Sequence, residues 1–421
     1  MYNKSTIGYY KWIFFTALLP YADRFIPFFP DGIWGFNLSG FAWIIILIVS
    51  LVRVIVHFHG ITMPGWVWLP WIVYIFAQWL QDLSFLGLQS TLQYMVFPVV
   101  GMAASTYSYS DETMRKLKWW FSIYVIIVLG SMFLALADVA EFGKGVGSVM
   151  TLVVLGAILL SDYWLYNDRK MLLGFALMTL IPIMAITRTG IAMMFAVAVF
   201  HFGNRNIVSR LLITGLVCCV ALAVFYSQGF QKKTFYSGQG DITSFTLSNE
   251  DLNSSGRTRM WNLAEKDMRA HPWFGAGSRA DLKMLIKYRY KLKELHNDFI
   301  AVRYNSGLVG LGFLLMGFIL QFWLLYQKKG KIQDAYTAVI YYAALTIFIG
   351  WIGFMYTDNA LKYSPFFGNL HFCLIGIVYS RLAEGAGVTV SEDGMPAAED
   401  GMPIPEDLKP NEHDLSSHSI I

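Results

Sequence analysis

The sequence predicts an all-α polytopic membrane protein, and three observations carry that reading. Hydrophobic residues fill 56% of the 421 positions and charged residues only 14%, against about 45–50% and about 25% in soluble domains. Apolar runs close to the roughly 20 residues that cross a bilayer recur along the chain. Many of the 14 Trp sit at the ends of those runs, as interfacial aromatic belts do. Such a chain has lipid as its solvent. The net charge of +4 is modest, and no nucleic-acid partner is expected.

Twelve apolar segments qualify as spans: 9–28, 36–56, 64–80, 88–106, 119–137, 146–165, 171–187, 189–202, 208–227, 298–326, 335–356 and 363–380. With the N-terminus in the cytoplasm, the cytoplasmic short loops hold fourteen Lys or Arg. The opposite side holds four: Arg24, Lys144, Arg188 and Lys362. The positive-inside rule therefore places both termini in the cytoplasm. Lys4 and Lys11 precede the first run without a small-residue cleavage site, which reads as an uncleaved span. Cys218, Cys219 and Cys373 all lie in apolar runs and suggest neither zinc nor a disulfide framework.

The expected organisation is nine spans over 1–228, a mostly helical periplasmic loop over 229–296, three spans over 297–381 and a tail over 382–421. The tail carries nine acids and one Lys, repeats EDGMP at Glu392–Pro396 and Glu399–Pro403, and reads as disordered. The segment Gly229–Leu295 has twelve basic and seven acidic residues. A basic segment on the outer side points to anion binding.

Within that loop the spacing of Met260, Trp261, Ala264 and Met268 predicts a helix capped by Ser254 or Ser255 and running to Ala270. Arg257 and Arg259 sit in its first turn, where a cation opposes the helix dipole unless an anion arrives. A second helix, basic and amphipathic, is expected over Arg279–Leu295. Its apolar stripe is Leu282, Leu285, Ile286 and Leu292. His296-Asn297-Asp298 follows at the mouth of the tenth span, and Arg188 lies in TRTG, Thr187–Gly190, at the outer end of the seventh. Taken singly, Arg188 is as readily a snorkelling side chain, Arg257 and Arg259 a solvated face, and His296 a helix cap. Together, Arg188, Arg257, Arg259 and His296 fall on one membrane face. Several arginines with one titratable base and no acidic metal cluster suit a diphosphate leaving group.

Three motifs then carry a resemblance. SGRTRMW at Ser255–Trp261, HPWFGAG at His271–Gly277 and HNDFIAVRYNSGLVG at His296–Gly310, with the TRTG arginine, resemble the O-antigen ligase and O-antigen polymerase superfamily. The resemblance implies a GT-C-like, metal-independent, inverting glycosyltransferase of the bacterial inner membrane, with its active site facing the periplasm and no cofactor. Its donor would be a glycan on undecaprenyl diphosphate. Its acceptor would be lipid A core for a ligase, or a second lipid-linked glycan for a polymerase. It further implies that His296 is the base and that Arg188 with Arg257 or Arg259 holds the diphosphate. Arg279, Arg289, Arg303, Asn297 and Asp298 are additional candidates, and Asp298 and Asp358 are possible acidic partners.

Ligation to lipid A core is the leading expectation because one outer loop dominates. A polymerase shares the same chemistry. A transporter or flippase, the alternative of another class, would place polar residues mid-membrane and repeat its two halves. Here the polar residues gather at one face instead.

Overall fold

The structure is a computed structural model describing residues 4–25, 38–136, 146–204, 206–246, 249–290 and 293–387. Lys144 and the tail beyond Gly387 lie outside the described residues. Among these residues there are fifteen α-helices and one isolated β-bridge, Phe235 with Leu252. Nine helices precede the large loop: α1 (Lys4–Phe25), α2 (Leu38–Val56), α3 (Leu69–Gln81), α4 (Phe85–Ala104), α5 (Asp111–Leu136), α6 (Val146–Tyr166), α7 (Arg169–Met184), α8 (Arg188–Phe200) and α9 (Ile207–Phe225). The loop holds α10 (Gln228–Thr234), α11 (Arg257–Met268) and α12 (Ala280–Lys287). Three more follow: α13 (Asp298–Tyr326), α14 (Ala335–Thr357) and α15 (Gly368–Gly387).

Among the described residues, each of the twelve apolar segments overlaps an α-helix. Four of them, in α6, α9, α13 and α14, are long and apolar enough to cross a membrane. They differ in burial in an informative way. α6 and α14 bury 78% of their apolar windows, whereas α9 buries none of its window. Leu211, Leu212 and Leu216 on α9 stand exposed. An apolar helix with no buried residue is costly in water and solvated in acyl chains, so this is a membrane protein with α6 and α14 at its centre and α9 at its rim.

The central packing pairs α4 with α15 and α6 with α14. Trp68 packs among α4, α13 and α15. Its ring meets Phe97, Phe318 and Phe372 edge-on at 5.2, 5.0 and 5.3 Å, the favoured geometry for aromatic quadrupoles. Its indole N–H donates to Gln321 Oε1 at 3.3 Å, so the buried donor is satisfied.

At the end of α14 remote from the loop, Arg381 donates to the Tyr109 carbonyl and pairs with Asp111 and Asp334. Asp334 also caps α14, accepting from Thr337 N at 2.8 Å. The other end of α14, on the order of 35 Å away at 1.5 Å per residue, carries Thr357 and Asp358 and faces the loop helices.

α13 is two helices joined by a break. Gly307 adopts φ 69°, ψ −171°, a region open essentially only to glycine. The break frees two carbonyls and two N–H groups, and the His271–Gly277 segment fits into it. Ala276 N and Gly277 N donate to the carbonyls of Tyr304 and Asn305 at 2.9 and 3.0 Å. Leu308 N and Val309 N donate to the carbonyls of Pro272 and Trp273 at 2.9 and 3.0 Å. From α3, Gln78 Nε2 donates to the Phe274 carbonyl and Tyr74 donates to the Ser306 carbonyl. Two of the sequence motifs thus form one splice that joins the loop to the bundle.

The second loop helix is shorter than its apolar stripe suggests. α12 ends at Lys287, because Arg289 turns left-handed at φ 56°. Arg289 N then bonds the Ile286 carbonyl and Tyr290 N the Leu285 carbonyl, a Schellman closure that terminates the helix. Leu282 and Leu285 are buried as expected, but Ile286 is exposed. The first helix is also entered differently. Its N-cap is Gly256 at φ 76°, and Ser254 reaches Thr258 N at 3.4 Å from outside it.

Candidate functional site

His296 is held in a strained position by its neighbours. Its φ of 51° is left-handed, a conformation histidine enters more readily than most residues but still at a cost of about 1–2 kcal/mol. Leu295 is buried, and its carbonyl accepts from Trp261 Nε1 at 2.8 Å. Asn297 caps α13 by accepting from Ile300 N at 3.0 Å. Asp298 is buried and accepts from Leu361 N at 2.9 Å, while its other oxygen has no partner. The backbone on either side of His296 is therefore over-determined, which is what lets a strained residue persist.

The imidazole is oriented by α14. His296 Nδ1 lies 3.1 Å from Asp358 Oδ1, which also accepts from Asn359 N at 2.9 Å. An ionised carboxylate only accepts, so Nδ1 carries the proton and Nε2 keeps its lone pair for a reacting group. Asn359 Nδ2 approaches the same Nδ1 at 3.3 Å.

Cations assemble beside this pair. Arg188 opens α8 and Arg257 opens α11, and neither N-cap residue supplies a side-chain cap. The turn into α8 is itself strained. Ile186, a β-branched residue, sits at φ 49° after the internal Pro182 of α7, whose carbonyl accepts from Thr187 N at 2.9 Å. Arg257 donates through Nη1 to the Thr357 carbonyl, the residue next to Asp358. Arg257 and His296 are thus fastened to consecutive residues at one end of α14. Arg188 and Arg257 lie within electrostatic reach of each other. Lys233 joins them, donating to the Ala185 carbonyl at 3.3 Å. Burial, and then the field of Arg188, hold the Lys233 ammonium below its ordinary pKa. Among the described residues, none of these three cations has a carboxylate ion-pair partner.

The remaining candidates stand elsewhere. Arg259 points to solvent two residues past Arg257, and Arg289 is exposed at the closure of α12. Arg303 is half-buried on α13 with its Nε unpartnered. Arg279 is committed to carboxylates. It binds Glu294 at 2.7 and 3.1 Å and Asp281 at 3.2 Å. Lys362 joins the same group by bonding Glu294, with Asp281 3.8 Å away. Burial opposes the charge on Arg279, but Asp281 and Glu294 outweigh it and raise its pKa above the ordinary value.

This buried network ties the residues before His296 to those after Asp358. It also makes a pH-dependent contribution. Burial pushes the Glu294 carboxyl up, but Lys362 and Arg279 outweigh it and hold the pKa below its ordinary value. The stabilisation is present above the unfolded value of about 4.3 and is lost as pH falls through the folded one. Melting curves should therefore show the parent losing stability below about pH 4, with Glu294→Gln flatter over that range. Identical acid limbs would remove the assignment.

Sequence reasoning did not single out Lys233, Lys362 or Asn359 for the site. Lys362 had one signal, being one of the few cations assigned to the outer side. Lys233 had none, because its placement depends on how the loop folds back.

Residues 173–315 match a family model described as O-Antigen ligase. The matched region runs from α7 into α13 and contains Arg188, Lys233, Arg257 and His296, whereas Asp358 and Lys362 lie beyond it. No curated protein matches the chain. The family match agrees with the three motifs, and through residues 173–315 the chain carries a domain of the O-antigen ligase superfamily.

Proposed function

We propose that the chain transfers a glycan from a lipid diphosphate carrier to an acceptor hydroxyl, with inversion at the sugar carbon. The observation that carries this reading is the cluster of unpaired cations, Arg188 and Arg257, beside an imidazole whose Nε2 is left free by Asp358. The arginines bind the diphosphate through guanidinium forks and offset the charge that develops as it leaves. His296 Nε2 takes the proton from the attacking hydroxyl. The new bond forms between that oxygen and the sugar carbon while the carbon–oxygen bond to the phosphate breaks on the opposite side. No metal is required where guanidinium groups supply the neutralisation.

Undecaprenyl diphosphate is the proposed carrier and lipid A core the proposed acceptor, at the periplasmic face of the bacterial inner membrane with both termini in the cytoplasm. The O-Antigen ligase description of the matched model supports the transfer chemistry that a ligase and a polymerase share. Lipopolysaccharide and carrier-linked glycans from a deletion strain test the assignment. Long chains stranded on the carrier support the ligase. Core bearing a single repeat unit would move the assignment to a polymerase, and an unchanged profile would refute both.

The arginine role has its own test. Arg188→Lys should be nearly as damaging as Arg188→Ala in a transfer assay, because an ammonium cannot reproduce a bidentate fork. Full activity in the lysine variant would reduce Arg188 to a point charge.

A further inference from the structure

The proposed diphosphate site holds a third cation, Lys233. We propose that Lys233 binds the second phosphate of the lipid carrier and so sets the preference for a diphosphate over a monophosphate. This rests on the transfer reaction proposed above.

The argument begins with how the backbone places the residue. Lys233 is in α10, which follows α9 through a serine cap: Ser227 Oγ accepts from Phe230 N at 3.4 Å. The segment leading into α11 is then pinned to the end of α10. Asn253 N donates to the Thr234 carbonyl at 2.8 Å, and Asn253 Nδ2 donates to the Lys233 carbonyl at 3.3 Å. Phe235 and Leu252 form the β-bridge beside them. Four residues after Asn253 comes Arg257. On its other side the Lys233 ammonium reaches the Ala185 carbonyl at 3.3 Å, three residues before Arg188. One lysine thus bridges the two chain segments that deliver the two arginines.

That arrangement is unfavourable without an anion. Three like charges converge, and among the described residues no carboxylate is paired with any of them. The more deeply placed cations of the loop region contrast with the half-buried arginines and the exposed Lys233, since Arg279 and Lys362 both bind Glu294. Stoichiometry then favours a doubly phosphorylated ligand. Two guanidinium groups suffice for a monophosphate, and a third cation matches the additional charge of a diphosphate. A single Lys233–Ala185 hydrogen bond leaves ammonium protons free to face that ligand.

The test measures binding of undecaprenyl diphosphate and undecaprenyl monophosphate to the full-length protein in nanodiscs. The variants are Lys233→Gln, Lys233→Arg, Arg188→Ala and Arg257→Ala, with thermal melting recorded for each. Lys233→Gln should weaken diphosphate binding about tenfold, the loss of one charge-assisted hydrogen bond. It should leave monophosphate binding unchanged, and Lys233→Arg should retain the preference. If Lys233→Gln keeps the full preference while the arginine variants lose it, Lys233 is not the determinant and the transfer reading stands. If Lys233→Gln weakens both ligands equally, its charge acts without discrimination and the proposal is overturned. If the parent shows no preference and the arginine variants bind as it does, the transfer reading falls and the proposal with it.

Discussion

His296→Ala should lower glycan transfer by about 10²–10⁴-fold, the usual contribution of a positioned general base, while the protein remains folded in the membrane. The expectation follows from the division of labour around the imidazole. The segment that carries His296 is fixed by Leu295, Asn297 and Asp298, whose backbone and capping bonds do not use the ring. Removing the ring therefore leaves the local fold intact, while the Cβ that alanine keeps retains the left-handed strain at φ 51°. Melting should be unchanged or slightly lowered. Asp358→Asn should produce a smaller loss, because the amide can still accept from Nδ1 but no longer stabilises the imidazolium formed after proton transfer. The comparison separates base from bystander. Normal surface polysaccharide in His296→Ala would end the assignment, and an Asp358→Asn variant more damaged than His296→Ala would place the essential group on Asp358. Arg257 provides the internal check, since it is anchored to Thr357 and not to the ring.

How much of this was legible before the structure differs by residue. Helix positions were legible because 3.6-residue periodicity and apolar run length are local properties, and among the described residues each of the twelve runs overlaps a helix. The choice between Arg257 and Arg259 was not. Both belong to the first turn of the same helix, and only the packing of α11 beside α14 turns Arg257 inward and Arg259 to solvent. Arg279 was equally undecided. Nothing near it in sequence announces that Glu294 and Lys362, fifteen and eighty-three residues away, surround it. The end of α12 was misjudged because a left-handed Arg289 stops the helix where glycine would have given a signal. The role of HPWFGAG and SGLVG was hidden for a deeper reason. Each has unpaired backbone groups that only the other can satisfy, so neither segment alone reveals the splice.

That splice underlies the prediction with the largest expected effect on stability. Gly307→Ala should destabilise the protein by more than about 4 kcal/mol, in the exceptional range for a single methyl, or prevent its accumulation in the membrane. A Cβ at Gly307 would lie 2.1 Å from the Trp273 carbonyl oxygen and 2.5 Å from Gly275 N, both backbone atoms. No rotamer change relieves that overlap. The dihedrals φ 69° and ψ −171° are strained for any L side chain as well. Relief requires the loop to withdraw, which breaks the four backbone hydrogen bonds across the junction and leaves their donors and acceptors unpaired. Gly275 is the mirror case, since a Cβ there would sit 2.4 Å from the Asn305 carbonyl group. Gly312, five residues on in the same helix, is the control. Nothing lies within 4 Å of its Cβ position, so Gly312→Ala should be neutral, or stabilising by up to about 1 kcal/mol from helix propensity. Expression level and melting temperature of the pair decide the matter. If Gly307→Ala matches Gly312→Ala, the loop is not inserted in the α13 break. The fixed placement of His296, which immediately precedes the cap of the same broken helix, then loses its structural basis.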